Sequence, residues 1–339
     1  MNIKSLLLGS AAALLAVSGA RAADAVVVAE PEPMEYVRIC DVYGTGFYYI
    51  PGTETCLKVG GLVRYQISFT DEDNGWVKST TARLKLDARS ETEYGTFRRY
   101  IELNASNNGG NDDPRPGHWA DNSSFAVRYA YVELGGLSFG RNDTLFDGGI
   151  YGEFDQGGGD FINQVRYTFD AGNGIAISGG LEVAVNDDSY VPNLTGKVSV
   201  AQGWGGVDLF AAYDSVVEEY ALKGIATFKA SDAISLQVMA TYGSGYSFYE
   251  VGLDALQAYE WSLGGAVRFQ ANEKLALAVG GQYFGDEFVT GANDWTVGAT
   301  VDYNIVKNLD ALLAVNYVAG DTAATDNTWN GFLRLNAAF

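Results

Sequence analysis

Histidine is almost missing from this chain: His118 is the single one in 339 residues, and it stands in a polar loop rich in Gly, Asp and Pro. Cysteine stops at two, Cys40 and Cys56. Two thiolates and one remote imidazole cannot complete the four ligands of a zinc site, so no metal is expected. A hydrolase would need a nucleophile with a base in reach, yet Ser123 and Ser124, beside His118 in sequence, are expected in a loop with no strand to fix a dyad. No GxxxxGK[ST] loop occurs and no GxGxxG opens a helix, which removes the common phosphate and dinucleotide cradles. The carboxylate pairs Asp112-Asp113, Asp187-Asp188 and Glu218-Glu219 lie in or beside loops and read as solvated rather than catalytic. Neither an enzyme nor a cofactor is expected.

Basic residues are scarce too. Lys and Arg total 22 against 42 Asp and Glu, for a formal net charge of −20. A nucleic-acid partner would demand the opposite sign. Beyond Val17 no apolar run reaches the roughly 18 residues that a spanning helix needs. The short apolar run 6–17 follows Lys4 and precedes Ala20-Arg21-Ala22, the pattern of a secretory signal peptide over residues 1–22, cut before Ala23. Its loss removes two positive charges and leaves the exported chain still more acidic.

What the chain does have is Gly at 42 residues, Tyr at 21 and Phe at 17, with 6 Pro, a composition suited to many short strands joined by turns. The last segment alternates: Trp329, Gly331, Leu333, Leu335, Ala337 and Phe339 share one parity, while Asn330, Arg334 and Asn336 take the other. A period of 2 marks a strand whose faces meet different surroundings. An aromatic at the final position, Phe339, implies a strand built into a sheet to its very end. A closed barrel suits that better than an open sheet. The same alternation recurs along the chain and gives sixteen expected strands. The first five span about 57–69, 77–90, 94–104, 125–134 and 137–141. Short turns such as Gly135-Gly136 alternate with longer polar loops, as in barrels with turns on one side of a membrane and loops on the other. Mean hydropathy is −0.03, which carries little weight in a barrel that shows apolar residues only at every second position.

The basic residues orient the two faces. Lys58, Arg64, Arg83, Lys85, Arg89, Arg98, Arg128, Arg166, Lys197, Lys223, Arg268 and Arg334 all have the parity opposite to their strand's apolar set. Each would cost about 2–4 kcal/mol at a lipid-facing midplane, so this face must be wet. The fold expected is all-β: a 16-stranded antiparallel transmembrane β-barrel with an aqueous lumen. On the fourth strand Val127, Tyr129 and Tyr131 are expected outward and Arg128 inward. Arg99, adjacent to Arg98, must point outward and is expected at an aqueous rim or a subunit contact. Outward aromatics such as Tyr65, Trp261, Tyr283, Trp295, Tyr317 and Trp329 are expected to form interfacial girdles. In an exported chain Cys40 and Cys56 are expected to pair as a disulfide. The domains are then the signal peptide 1–22, a leader and disulfide-stapled segment 23–56, and the barrel 57–339.

The N-terminal signal, the run AEPEPMEYVRICD at 29–41, GTGFYYIPGTETCLKVGGLVRYQ at 44–66, VRYAYVELGG at 127–136 and the terminal Phe together resemble the porins of alphaproteobacteria related to Brucella and Rhizobium. The resemblance covers the whole chain. It implies a homotrimer in the bacterial outer membrane, among lipid and lipopolysaccharide, each barrel a passive pore for small hydrophilic solutes and ions. It also implies a third external loop folded into the lumen, here residues 142–160 with Asp143, Asp147, Glu153, Asp155 and Asp160. Across from it, by analogy with general porins, would stand a basic wall of Arg64, Arg83, Lys85, Arg98 and Arg128. The acidic net charge argues for weak cation preference and the basic wall argues the other way, and weak cation preference is the expectation. A sugar-selective channel and a structural or adhesive barrel with a closed lumen remain the competing readings.

Overall fold

The computed structural model describes residues 38–71, 76–110, 120–184, 191–253, 257–321 and 327–339. The signal peptide, the leader as far as Val37, His118, Asp112-Asp113 and Asp187-Asp188 lie outside them.

Among the described residues a two-residue strand, β1 (Tyr48–Tyr49), precedes sixteen long ones: β2 (Cys56–Thr70), β3 (Trp76–Thr92), β4 (Gly95–Gly110), β5 (Ala120–Leu134), β6 (Leu137–Asp143), β7 (Phe161–Asp170), β8 (Ile175–Val183), β9 (Asn193–Gln202), β10 (Gly205–Asp214), β11 (Glu219–Lys229), β12 (Ile234–Gly243), β13 (Tyr259–Gln270), β14 (Leu275–Glu287), β15 (Asp294–Val306), β16 (Leu309–Gly320) and β17 (Thr328–Ala338). Each long strand pairs antiparallel with its sequence neighbours, and β17 pairs with β2, so the sheet closes into the expected 16-stranded barrel without edges. Phe339 completes the seam: its N–H and carbonyl exchange 3.1 Å bonds with Gly61, and a Cβ at Gly61 would lie 2.7 Å from the Phe339 ring. Glycine is what lets the terminal ring lie over the seam.

The turns obey the alternation read from the sequence. Gly135 and Gly136 (φ 55° and 90°) form the two-residue link between β5 and β6, a conformation that matches the twist of paired strands and excludes most side chains. The strands are longer than periodicity alone implied. β4 and β5 extend to Gly110 and from Ala120, through polar residues with no alternation to reveal them, because the backbone ladder with the partner strand continues.

Outward faces carry the apolar set. Val63, Leu209, Leu263 and Val279 are about half exposed, the exposure of side chains that meet hydrocarbon rather than a core. Aromatics line up in register near the long-loop end, with Tyr317 ring centroids 5.5 Å from Trp295 and 4.8 Å from Trp329, and Trp261 5.4 Å from Tyr283. Arg99 points outward as expected, donating to Ser90 Oγ at 3.2 Å and lying 4.5 Å from the Phe97 ring.

One strand departs from the expected faces. In the β4–β5 ladder Glu102 pairs with Tyr129 and Leu103 with Val127, leaving Arg128 as the extra residue of a β-bulge. The bulge flips the parity of the residues after it. Phe125 and Val127 face outward, but Tyr129 and Tyr131 join Arg98, Tyr100 and Glu102 on the inner face. Strict period-2 reading assigned both tyrosines to lipid because a bulge leaves no mark in an alternating pattern.

Cys40 and Cys56 form the disulfide, with Cα atoms 6.0 Å apart. The element it closes holds a short 3-10 turn (Asp41–Tyr43) and β1, which pairs with the start of β2. Phe47 is buried there against inward side chains, 5.1 Å from the Arg89 guanidinium and 5.8 Å from Lys58 Nζ, and Tyr43 donates to Glu91 at 2.7 Å. Burial and that bond push the Tyr43 hydroxyl pKa up to about 12. The staple thus holds this element against the inner wall. Replacing both Cys with Ser is expected to remove about 3 kcal/mol of loop-closure stabilisation and to lower the heating temperature at which the barrel unfolds on gels. An unchanged temperature would deny the staple a structural part.

Candidate pore constriction

The acidic connection between β6 and β7 is shorter than expected. Asn142 and Asp143 pair with Ile162 and Phe161, so both belong to the wall and the connection itself is 144–160. Backbone pairing with β7 carries β6 two residues past Arg141, its expected end.

Inward-facing wall residues hold this connection along its length. At its root the buried Glu182 of β8 accepts from Thr144 Oγ1 (2.6 Å), Leu145 N (2.7 Å), Thr195 Oγ1 (3.1 Å) and Tyr249 OH (2.9 Å). Farther on, Tyr151 N donates to Gln237 of β12 at 2.8 Å, Gln156 and Gln282 of β14 exchange bonds of 2.8 and 2.9 Å, and Asn316 of β16 donates to Glu153 O at 2.9 Å. Lys223 of β11, 3% exposed, donates to Gly148 O (2.9 Å) and Gly157 O (2.8 Å) with its Nζ 4.5 Å from the Phe146 ring and 4.7 Å from Phe210. Phe146, Ile150 and Phe154 pack with Phe210, Ile225, Met239 and Tyr249 in a buried apolar cluster. Gly280 and Gly298 make the hollow for Phe154: a Cβ on either would lie 2.5 and 2.8 Å from it.

A second connection, described over 244–253, takes part. Tyr249 is buried 5.6 Å from Phe146, and Phe248 N donates to Asp214 at 2.9 Å. Sequence reasoning missed it, although Tyr246, Phe248 and Tyr249 make an aromatic run unusual for a solvated loop.

The five acids have different surroundings. Asp147 and Glu153 are exposed, and Glu153 accepts from Arg334 Nη1 of β17 at 3.1 Å. Asp155 turns into its own loop, where it accepts from Ile150 N at 2.8 Å, and burial pushes its carboxyl above the usual carboxylate range. Asp143 accepts from Tyr129 OH at 2.8 Å, and Asp160 from Phe161 N at 2.7 Å, both at the roots.

The five bases form one inner wall with acids set among them. Glu102, 2% exposed, lies 3.8 Å from Arg83, 3.7 Å from Lys85 and 3.3 Å from Arg128. Arg98 pairs with Asp87 (3.1 Å) and Glu133 (3.0 Å). Arg64 donates instead to the neutral Asn336 at 2.8 Å, and Arg83 also to Asn104 at 3.0 Å. Parity identified Arg334 and Lys223 as inward, but that both meet the loop depends on pairings between strands far apart in sequence.

The model of the Porin subfamily matches residues 24–335. Porin Omp2b of Brucella suis biovar 1 is 36% identical over 386 aligned residues covering all of both chains. Among solved structures, the outer membrane channel DcaP of Acinetobacter baumannii superposes with a TM-score of 0.61 at 16% identity, covering 86% of this chain and 99% of that one. OmpT of Vibrio cholerae in its trimer form gives 0.60 at 13% identity, covering 85% and 100%. The likeness to these two extends to the fold, whereas the Brucella porin aligns end to end in sequence. The charged interior and lipid-compatible exterior are what such a channel requires, and the chain belongs to the porin subfamily as a porin of the bacterial outer membrane.

Proposed function

We propose that the channel passes small hydrophilic solutes and ions by passive diffusion and that 144–160 is the inward-folded third external loop that narrows it. The observation that carries this reading is the exposed Glu153 of the loop meeting Arg334 of the wall at 3.1 Å, with Arg64 close enough to feel the same carboxylate. Facing rows of opposite charge between low-dielectric walls orient water and favour polar solutes over apolar ones. Proteoliposomes containing the channel should swell in isosmotic small sugars and cease to swell above a sharp size limit. Absence of swelling at every size would favour a closed, adhesive barrel.

The working unit is a homotrimer seated among outer-membrane lipid and lipopolysaccharide. Support comes from the trimer form of OmpT, which shares this fold, and from outward Arg99, a charge that a subunit contact would shelter from hydrocarbon. Unheated protein should migrate at three times the monomer mass on detergent gels and collapse to monomer on boiling.

A further inference from the structure

Three arginines of the inner wall are held by groups that leave their charge untouched. Arg64 Nε of β2 donates to the Asn336 amide oxygen at 2.8 Å, Arg83 Nε of β3 to that of Asn104 at 3.0 Å, and Arg334 Nε of β17 to that of Gln66 at 2.7 Å. Each amide is its arginine's own cross-strand partner in the ladder, so the barrel register fixes all three contacts. An amide oxygen is neutral and orients a guanidinium without cancelling it. Bonding through Nε sets the plane of the fork and leaves its two terminal nitrogens to other partners. Among the described residues the Nη groups of Arg64 and Arg83 make no hydrogen bond, and none of these nitrogens is shut away from water.

The charges around these forks are unbalanced. Arg64 lies within electrostatic reach of Arg83, Arg128 and Arg334, and Arg83 within reach of Arg128 and Arg334. With Lys85 these make five bases, and among the described residues their ion pairs reach two carboxylates. Glu102 is shared by Arg83 at 3.8 Å, Lys85 at 3.7 Å and Arg128 at 3.3 Å, and Glu153 of the loop meets Arg334 at 3.1 Å. Arg64 has no ion pair among the described residues. Like charges repel, and side chains free to part would do so. The amide tethers keep them together. A ligand matched to this wall brings several negative charges on one small body, with oxygens spaced for guanidinium forks, which describes a phosphate ester or anhydride. A monocarboxylate brings a single charge and satisfies one fork.

We propose that Arg64, Arg83 and Arg334 form a binding site for small multivalent phosphates, in which the Nη groups of Arg64 and Arg83 grip phosphoryl oxygens and Glu153 is the internal competitor for Arg334. The proposal rests on the porin reading and gives that pore a preferred class of solute. It requires forks at two fixed positions, which a diffuse field of positive charge does not. Sequence alone could not reach it, because the amides that tether the three arginines are chosen by strand register.

The test is potassium chloride current through single wild-type channels in a planar bilayer with inorganic pyrophosphate added to one side. Pyrophosphate should lower the current saturably, and sulfate at the same ionic strength should need a higher concentration to do so. Arg64→Gln/Arg83→Gln should raise the half-blocking concentration of pyrophosphate about twenty-fivefold, at about fivefold for each charge removed. Arg64→Lys/Arg83→Lys keeps both charges without the forks, and should still raise it about fivefold while the reversal potential in potassium chloride stays as in the wild type. Glu153→Gln should lower it, because the competitor is gone. Wild-type channels that conduct but are blocked by pyrophosphate no better than by sulfate, or not at all, would overturn the site and leave the porin reading standing. Equal block of the Lys variant and the wild type would also overturn it, since charge alone would then suffice. Purified protein that forms no conducting channel would remove both.

Discussion

Lys223→Met should give a channel with larger and noisier conductance than the wild type. Lys223 bonds two carbonyls from opposite limbs of the 144–160 loop, those of Gly148 and Gly157, inside a cage made by Phe146 and Phe210. Methionine keeps the apolar stem but leaves both oxygens without that donor, at about 1–3 kcal/mol each. A loop whose remaining attachments are side-chain contacts then spends more time off the wall, while the barrel's own backbone ladder is untouched. Heat resistance of the barrel should accordingly change little. Gly298→Leu approaches the same result from the other side, by intruding on the Phe154 side chain, since the nearest atoms to an added Cβ there belong to the Asn316 and Phe154 side chains. Single-channel recording decides: a quiet trace of wild-type amplitude in both variants would mean that neither contact holds the loop.

Asp147→Asn/Glu153→Gln should move the zero-current potential towards anions. Both are exposed on the loop away from its root at Asp160, and Glu153 also occupies Arg334, so its neutralisation both removes a negative charge and frees a positive one. A charge ~5 Å from a passing ion is worth about 1 kcal/mol in a largely aqueous passage, which corresponds to about a fivefold change in permeability ratio. Asp155→Asn is expected to shift selectivity far less, because its carboxylate faces Ile150 N within the loop, and to act instead on loop rigidity. Reversal potentials across a salt gradient separate the variants. An unshifted potential in the double variant would place the ion path away from Asp147 and Glu153.

The barrel was legible because two chemical penalties write it into the chain. Lipid forbids charge on one face and leaves bases such as Arg64 and Arg268 only the other, so parity identified the faces of nearly every strand. Short turns, among them Gly135-Gly136 with positive φ at both residues, fixed the count and the direction of the strands. Where polar residues pair across a ladder, as in Asn142–Asp143 and in the extensions of β4 and β5, alternation is silent and the strand ends were missed.

The charged site was legible in kind and only partly in detail. The right loop and the right wall stood out by charge, but Asp155 and Glu153 differ by two residues and by what they touch: one bonds the loop's own backbone, the other Arg334 on β17. Nothing local distinguishes them.

By itself, then, the amino-acid order determined an exported, antiparallel, closed barrel with a wet interior, because lipid and water act on each side chain at its own position in a strand. Tertiary structure alone decided where residues 144–160 and 244–253 settle, which carboxylates remain exposed, and that Tyr129 and Tyr131 face inward. Those outcomes depend on pairings between residues up to 181 positions apart and on one inserted residue in the β5 register, neither of which leaves a periodic trace in the sequence.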